Sequence, residues 1–208
     1  MTNVNEDALT NTQQRIIDAA LDLVSHVGYK STTTKMIAQK AEVNETTIFK
    51  NFQSKQVLLD TAFKQHTKQI TKEVDEFFCQ SFKDTTDLMK QWGRFIAEIF
   101  DKHRQIVIGT IKEVGNEQTK TIFNYKQEYI QHLLCTKLKE FSTDHSLNDQ
   151  QYETIVFIFN SAIMSLLVDK ARKEYSDDEE GMTIHLDDVI DLMLKTFTWF
   201  LVDNLETK

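Results

Sequence analysis

No proline interrupts the 208 residues, and only five glycines do. Proline breaks helices from within, and glycine and proline together punctuate strand-rich folds with turns. A chain this poor in both favours long helices over many short strands. Its length suits one or two compact domains with a sizeable core. With 40% hydrophobic and 27% charged residues, it has an ordinary globular composition. The expected fold class is all-α.

The net charge is −8, and its distribution matters more than its sum. Between residues 30 and 72, eight lysines face only Glu42, Glu45 and Asp60. A basic segment on an acidic body fits a protein that reads DNA locally and repels it elsewhere. Cys79 and Cys135 are too few for a disulfide framework, which points to a reducing compartment. The opening MTNVNEDALTNTQQ is polar and acidic, unlike a signal peptide. The run Ile155–Val168 is apolar at 11 of 14 positions, too short to span a bilayer and suited to a buried helix. A cytoplasmic protein with no membrane partner is expected.

Residues 1–9 read as a flexible tip. A first helix is expected from Asn11 to Val27, with Thr10 and Gln13 as a capping box. Its inner face would carry Ile16, Ala20, Leu23, Val24 and Val27, and Gly28 would end it in a left-handed turn. One of Thr32, Thr33 and Thr34 caps a second helix carrying Ile37, Ala38 and Ala41. Glu42-Val43-Asn44 form a turn, and Asn44 starts a third helix over Glu45 to Asn51, anchored by Ile48 and Phe52. Ser54 caps a long fourth helix. Behind it lie amphipathic stretches over 84–102, 103–114, 116–141, 149–173 and 184–206, with breaks at Gly115, 142–148 and the acidic loop 175–181.

Two short helices joined by a tight turn, with a thin polar face on the second, form a helix-turn-helix. Such a face enters a major groove about 12 Å wide. Residues 15–59, RIIDAALDLVSHVGYKSTTTKMIAQKAEVNETTIFKNFQSKQVLL, carry Ile17, Ala19, Ala20 and Leu23 before Gly28-Tyr29. Thr33-Thr34, Ile37-Ala38, Ala41, Val43-Asn44, Ile48-Phe49, Phe52 and Ser54-Lys55 follow. In this combination the segment resembles the DNA-binding domain of the TetR/AcrR family of bacterial repressors.

The resemblance implies double-stranded operator DNA as partner, with residues 10–60 as the DNA-binding domain. Thr34, with Lys35 beside it, and Lys55 would hold phosphates. Asn44, Glu45, Thr46, Thr47, Lys50 and Asn51 would lie at the groove. Phe49 stands where many relatives have a tyrosine, and lacking the hydroxyl it would only pack against the DNA backbone. Glu45 replaces a residue often basic or small, and either accepts from a cytosine amine or lowers nonspecific affinity.

Residues 61–208 would form a dimerisation and ligand-binding domain. The apolar run Ile155–Val168 and the last helix need a second apolar neighbour, which a second copy of the chain would supply as a four-helix bundle. The dimer residues expected are Phe159, Ala162, Ile163, Leu166, Met193, Phe197 and Phe200. Trp92, Phe95, Ile99, Phe123, Phe157, Asn160 and Met164 would line a pocket for a small apolar or amphipathic inducer, with no other cofactor. The resemblance implies a repressor that this ligand releases from its operator. No phosphate-binding glycine loop, nucleophile elbow or zinc-protease motif marks the chain as an enzyme. His132 and Cys135, spaced i, i+3, with His103, make a thin case for a metal site. A helical interaction protein without DNA binding is a further alternative.

Overall fold

The computed structural model describes residues 9–105, 107–108, 117–141, 147–175 and 183–202. For 117–127, 174–175 and 198–202 it describes the backbone alone. The expected flexible tip (apart from Leu9), the acidic loop and most of the 103–114 helix lie outside the described residues. The described elements are helices: α1 (Asn11–Val27), α2 (Thr34–Lys40), α3 (Glu45–Phe52), α4 (Lys55–Phe78), α5 (Thr85–Lys102), α6 (Glu117–Phe141), α7 (Asp149–Tyr175) and α8 (Leu186–Val202). Among the described residues there is no strand.

The chain divides into two compact units, and the division falls inside α4, between Gln69 and Ile70. The first unit also takes back His103–Phe123, a return across the boundary that no sequence pattern announced.

In the first unit α1 begins at a complete capping box. The Gln13 N–H donates to Thr10 Oγ1 at 3.2 Å, and the Thr10 N–H donates to Gln13 Oε1 at 2.8 Å. Its buried arc is Ile16, Ile17, Ala19, Ala20, Leu21, Val24 and Ser25. The expected face is therefore rotated: Leu23 lies at the edge of the arc, and Val27, the last helical residue, is 43% exposed. Gly28 ends the helix at φ 82°, ψ 164°. The positive φ calls for glycine, but the backbone there is extended rather than left-handed helical. Ile37, Ala38 and Ala41, then Ile48 and Phe52, then Leu58, Leu59, Ala62 and Phe63 complete the core of this unit. Ser54 caps α4 by accepting the Val57 N–H at 3.1 Å.

The second unit packs α5, α7 and α8 on one another. Gly93 allows that approach: a Cβ there would stand 2.6 Å from Ile190 Cδ1 and 3.2 Å from Ile163 Cδ1. Two i, i+4 cations on α5 meet two i, i+4 carboxylates on α8, Lys90 with Asp191 at 2.8 Å and Arg94 with Asp187 at 3.1 Å. The hydrogen bond and charge of Lys90 hold the Asp191 carboxyl below the usual range.

On α7 the buried residues Tyr152, Val156, Phe159, Ile163, Leu167 and Ala171 recur every three or four positions and form one inward stripe. The opposite face keeps Phe157 54% exposed and Ile158 46% exposed. By length and composition Asp149–Lys173 could cross a membrane, with a mean hydropathy of 1.5. Its inward stripe instead belongs to the core of this unit.

Candidate nucleic-acid interface

The helix-turn-helix is built from its caps. Of the three threonines before α2, Thr33 is the N-cap and accepts from the Met36 N–H at 3.2 Å. Thr32 is buried, and its hydroxyl donates to the Gly28 carbonyl at 2.8 Å. α2 closes with two crossed bonds: the Val43 N–H reaches the Ala38 carbonyl at 3.0 Å, and the Glu42 N–H reaches that of Gln39 at 3.3 Å. This is a Schellman closure, and it puts Glu42 at φ 53°, a left-handed position where glycine is usual. Arg15 reaches over from α1 to the Ala41 carbonyl at 2.5 Å and to Glu42 at 3.5 Å. The turn is thus held from outside as well as from within.

α3 starts at Asn44, whose extended backbone makes it the N-cap, with no side-chain capping bond. That exposed amide is left to the surface. Ile48 and Phe52 are buried beneath the helix. Glu45, Thr46, Phe49 and Lys50 are exposed, Phe49 at 47%, and Thr47 and Asn51 are half-buried at the edge. Asn51 donates its amide to the Thr47 carbonyl at 2.7 Å, which ties it back to its own helix. Gln53 ends α3 at φ 62°, and the Ser54 N–H reaches the Phe52 carbonyl at 2.6 Å across it. This is a tight γ-type turn that throws the chain into α4.

Two side chains expected at phosphates are engaged within the protein. The Thr34 hydroxyl donates to Glu45 Oε1 at 2.5 Å, and this bond ties the start of α2 to the start of α3. The Lys55 ammonium donates to the carbonyls of Tyr29 and Thr32, 2.8 Å each, and lies 4.8 Å from the centre of the Tyr29 ring. Lys55 therefore clamps the α1–α2 loop with two of its three protons. Lys35 is exposed.

Sequence reasoning placed Glu42 in the turn but missed its positive φ, and it missed Arg15 and Gln53. The signals for Glu42 and Gln53 were weak, because each holds a positive φ without being glycine or asparagine. Asp22 was also missed. It gathers Lys40 of α2 at 2.5 Å and the Gln105 amide at 3.0 Å, so it joins α1 and α2 to the returning segment.

In the second unit the expected pocket and dimer residues sort differently by burial. Trp92 is 1% exposed, and its indole N–H donates to Asn160 Oδ1 at 2.9 Å. It belongs to an aromatic cluster with Phe77, Phe78 and Phe95, in which Phe77 and Phe95 stack at 4.5 Å. Ile99 is half-buried. Phe157 and Met164, expected to line the pocket, lie on the outer face of α7, at 54% and 36% exposed. Phe159 and Ile163, expected at the dimer face, are fully buried in the protomer core, and Phe197 is 9% exposed. Within the protomer α7 thus turns Phe159 and Ile163 inward and Phe157 and Met164 outward, and a helix apolar nearly all round carries no periodicity to fix that choice. Ala162, Leu166 and Met193 are half-buried, and the side chains of Phe123 and Phe200 lie outside the described residues. Of the residues considered for a metal, Cys135 is buried and His132 exposed. Burial, then the nearby Glu153 carboxylate, pushes the Cys135 thiol up.

A short helix, a tight turn, and a second helix buried on Ile48 and Phe52 with a polar outer face define a helix-turn-helix domain of the DNA-binding kind. Residues 16–62 match the family model described as bacterial regulatory proteins, tetR family. It is 33% identical over 120 residues to the HTH-type transcriptional regulator YvkB of Bacillus subtilis (strain 168). That match spans 58% of this chain and 60% of the relative. It is 22% identical over 174 residues to YhgD, an HTH-type regulator of the same organism, covering 79% of this chain and 87% of YhgD. The fold is also that of a TetR-like transcriptional regulator from Rhodococcus sp. RHA1, with a TM-score of 0.70 at 18% identity over 98% of this chain and all of that one.

Proposed function

We propose that the chain is a sequence-specific DNA-binding transcription regulator, a cytoplasmic homodimeric repressor rather than an enzyme. A small apolar or amphipathic ligand would release it from its operator. The observation that carries the reading is the exposed face of α3. Glu45, Thr46, Phe49 and Lys50 stand clear of the domain, while Ile48 and Phe52 hold the helix from beneath. In the groove this face meets base edges, and the exposed Lys35 and Lys50 supply charge toward phosphates.

The outer face of α7 supports the homodimer. Phe157, Ile158 and Met164 are exposed apolar side chains on a helix whose other face is already in the core. A second copy would cover them and set two α3 helices at successive major grooves, roughly 34 Å apart. The aromatic cluster around Trp92 supports a ligand site in the second unit, because the Trp92–Asn160 pair offers a polar handle among apolar rings. Binding there would favour a spacing of the two α3 helices that no longer fits the operator.

The test is a titration of the purified protein against the DNA flanking its own gene, at two salt concentrations. Saturable, sequence-dependent binding that weakens with salt is the expected result. Binding indifferent to sequence, with no ligand recovered on denaturing extraction, would favour a helical interaction protein instead.

A further inference from the structure

Glu45 is the only acidic residue of α3, and it stands on the face that the proposed function turns toward DNA. Its position opposes the overall charge of the DNA, since phosphates repel a carboxylate wherever the helix sits on a random sequence. It is also not free to swing away, because Oε1 accepts the Thr34 hydroxyl at 2.5 Å across the turn. A threonine hydroxyl has one proton to give, and here it goes to Glu45. Thr34 cannot donate that proton to a phosphate at the same time.

A carboxylate held at a groove is an acceptor without a donor. In the major groove cytosine offers only a donor, its N4 amine. Guanine and thymine offer acceptors to it, and adenine sets an acceptor beside its amine. We infer that Glu45, oriented by Thr34, selects a cytosine in each operator half-site and penalises every other base there. Glu45 is the reading residue and Thr34 the positioning residue. The inference rests on α3 being a major-groove helix.

Site selection from a randomised duplex separates the two ideas. It is run with the wild-type chain, Glu45→Gln, Thr34→Val and Thr34→Ser, followed by affinities on the selected site and on a scrambled duplex. The wild type should enrich a site with a fixed cytosine whose replacement weakens binding roughly tenfold. Glu45→Gln should lose most of that preference, because its amide also donates, and should bind scrambled duplex about threefold or more tighter. Thr34→Val should blunt the preference, and Thr34→Ser, which keeps the hydroxyl, should restore it. A loss through general damage to the fold would not be rescued in that way.

If Glu45→Gln keeps both the cytosine preference and the wild-type affinity for scrambled duplex, Glu45 is not a reader, and the major-groove reading stands without it. If Thr34→Val behaves as wild type, the positioning role falls. If the wild-type chain enriches no site at all, the DNA-binding reading fails and this inference with it.

Discussion

The guanidinium of Arg15, on α1, donates to the main-chain carbonyl of Ala41 at 2.5 Å. That carbonyl lies at the end of α2, where helix geometry leaves acceptors unsatisfied. The next residue, Glu42, holds φ 53°, a conformation unfavourable by about 1 kcal/mol for a side chain with a Cβ. Glu42→Gly should therefore stabilise the protein by about 0.5 kcal/mol, the relief of strain being partly offset by a freer unfolded chain. Arg15→Ala should destabilise it by about 1 kcal/mol, a modest figure because the side chain is half exposed. Thermal melts of the two variants should move in opposite directions.

Lys55 gives a sharper test, because two roles predict different signatures. A lysine that neutralises a phosphate contributes about 0.9 to the slope of log affinity against log salt. One that bridges the carbonyls of Tyr29 and Thr32 contributes to stability instead. Lys55→Met should lower the melting temperature by several degrees, since it removes the ammonium that bonds both carbonyls. The salt slope of DNA binding should stay unchanged. A slope reduced by about one with an unaltered melt would return Lys55 to the DNA backbone.

The helix-turn-helix was legible in the sequence because its signals are local. Thr10 with Gln13, the threonines before α2, Asn44 and Ser54 each mark a helix start within three or four residues, and Ile48 and Phe52 mark the inner face of α3. Bonds that span many residues were not legible. Thr34 with Glu45, Lys55 with Tyr29 and Arg15 with Ala41 join positions 11 to 26 residues apart, and nothing in either partner announces the other. On α7 the apolar run predicted a helix but not its rotation. Ile163 packs close to Gly93 of α5, where a Cβ would stand 3.2 Å from its Cδ1, a steric fact invisible in the α7 sequence itself.

Gly93 should resist substitution. Alanine is favoured over glycine in a helix interior by about 1 kcal/mol. Here its Cβ would meet Ile190 Cδ1 at 2.6 Å and Cγ1 at 2.9 Å, with Ile190 itself buried. The clash should dominate, with Gly93→Ala destabilising by about 1–2 kcal/mol. Ile190→Val removes the nearest carbon, so the double variant should recover part of the loss. A non-additive double-mutant cycle in denaturant unfolding is the expected result.

The outer face of α7 separates association from folding. Phe157→Glu should leave the helical signal and melting of a dilute sample close to wild type, because Phe157 is 54% exposed in the protomer. In analytical ultracentrifugation it should shift a dimer toward monomer, since a carboxylate buried at an interface has no partner. Phe159→Ala, two residues away and fully buried, should instead destabilise the protomer by about 3 kcal/mol. If Phe157→Glu remained fully dimeric, the partner copy would have to dock elsewhere.

His66 should make the first unit acid-sensitive above the range where its carboxylates titrate. The ring packs edge-on against His103 at 5.9 Å between centroids, and its Nδ1 is buried without a hydrogen-bond partner among the described residues. Burial, then the neighbouring His103, pushes its pKa below the ordinary 6.5, and Asp18 opposes them in part. In the unfolded chain His66 takes up a proton near that ordinary value, while in the folded protein it does so only at lower pH. Stability should therefore fall as pH drops through about 6.5, and level off below the folded value. Asp87, Asp149 and Asp191 have lowered values instead, so their contribution persists until pH falls below about 4. The interval from pH 7.5 to 5 thus separates His66 from these carboxylates. Denaturant midpoints across it should decline for the wild-type chain and stay flatter for His66→Gln and for His66→Phe, which keeps the edge-on ring contact. An equal decline in both variants would assign the acid sensitivity to another group.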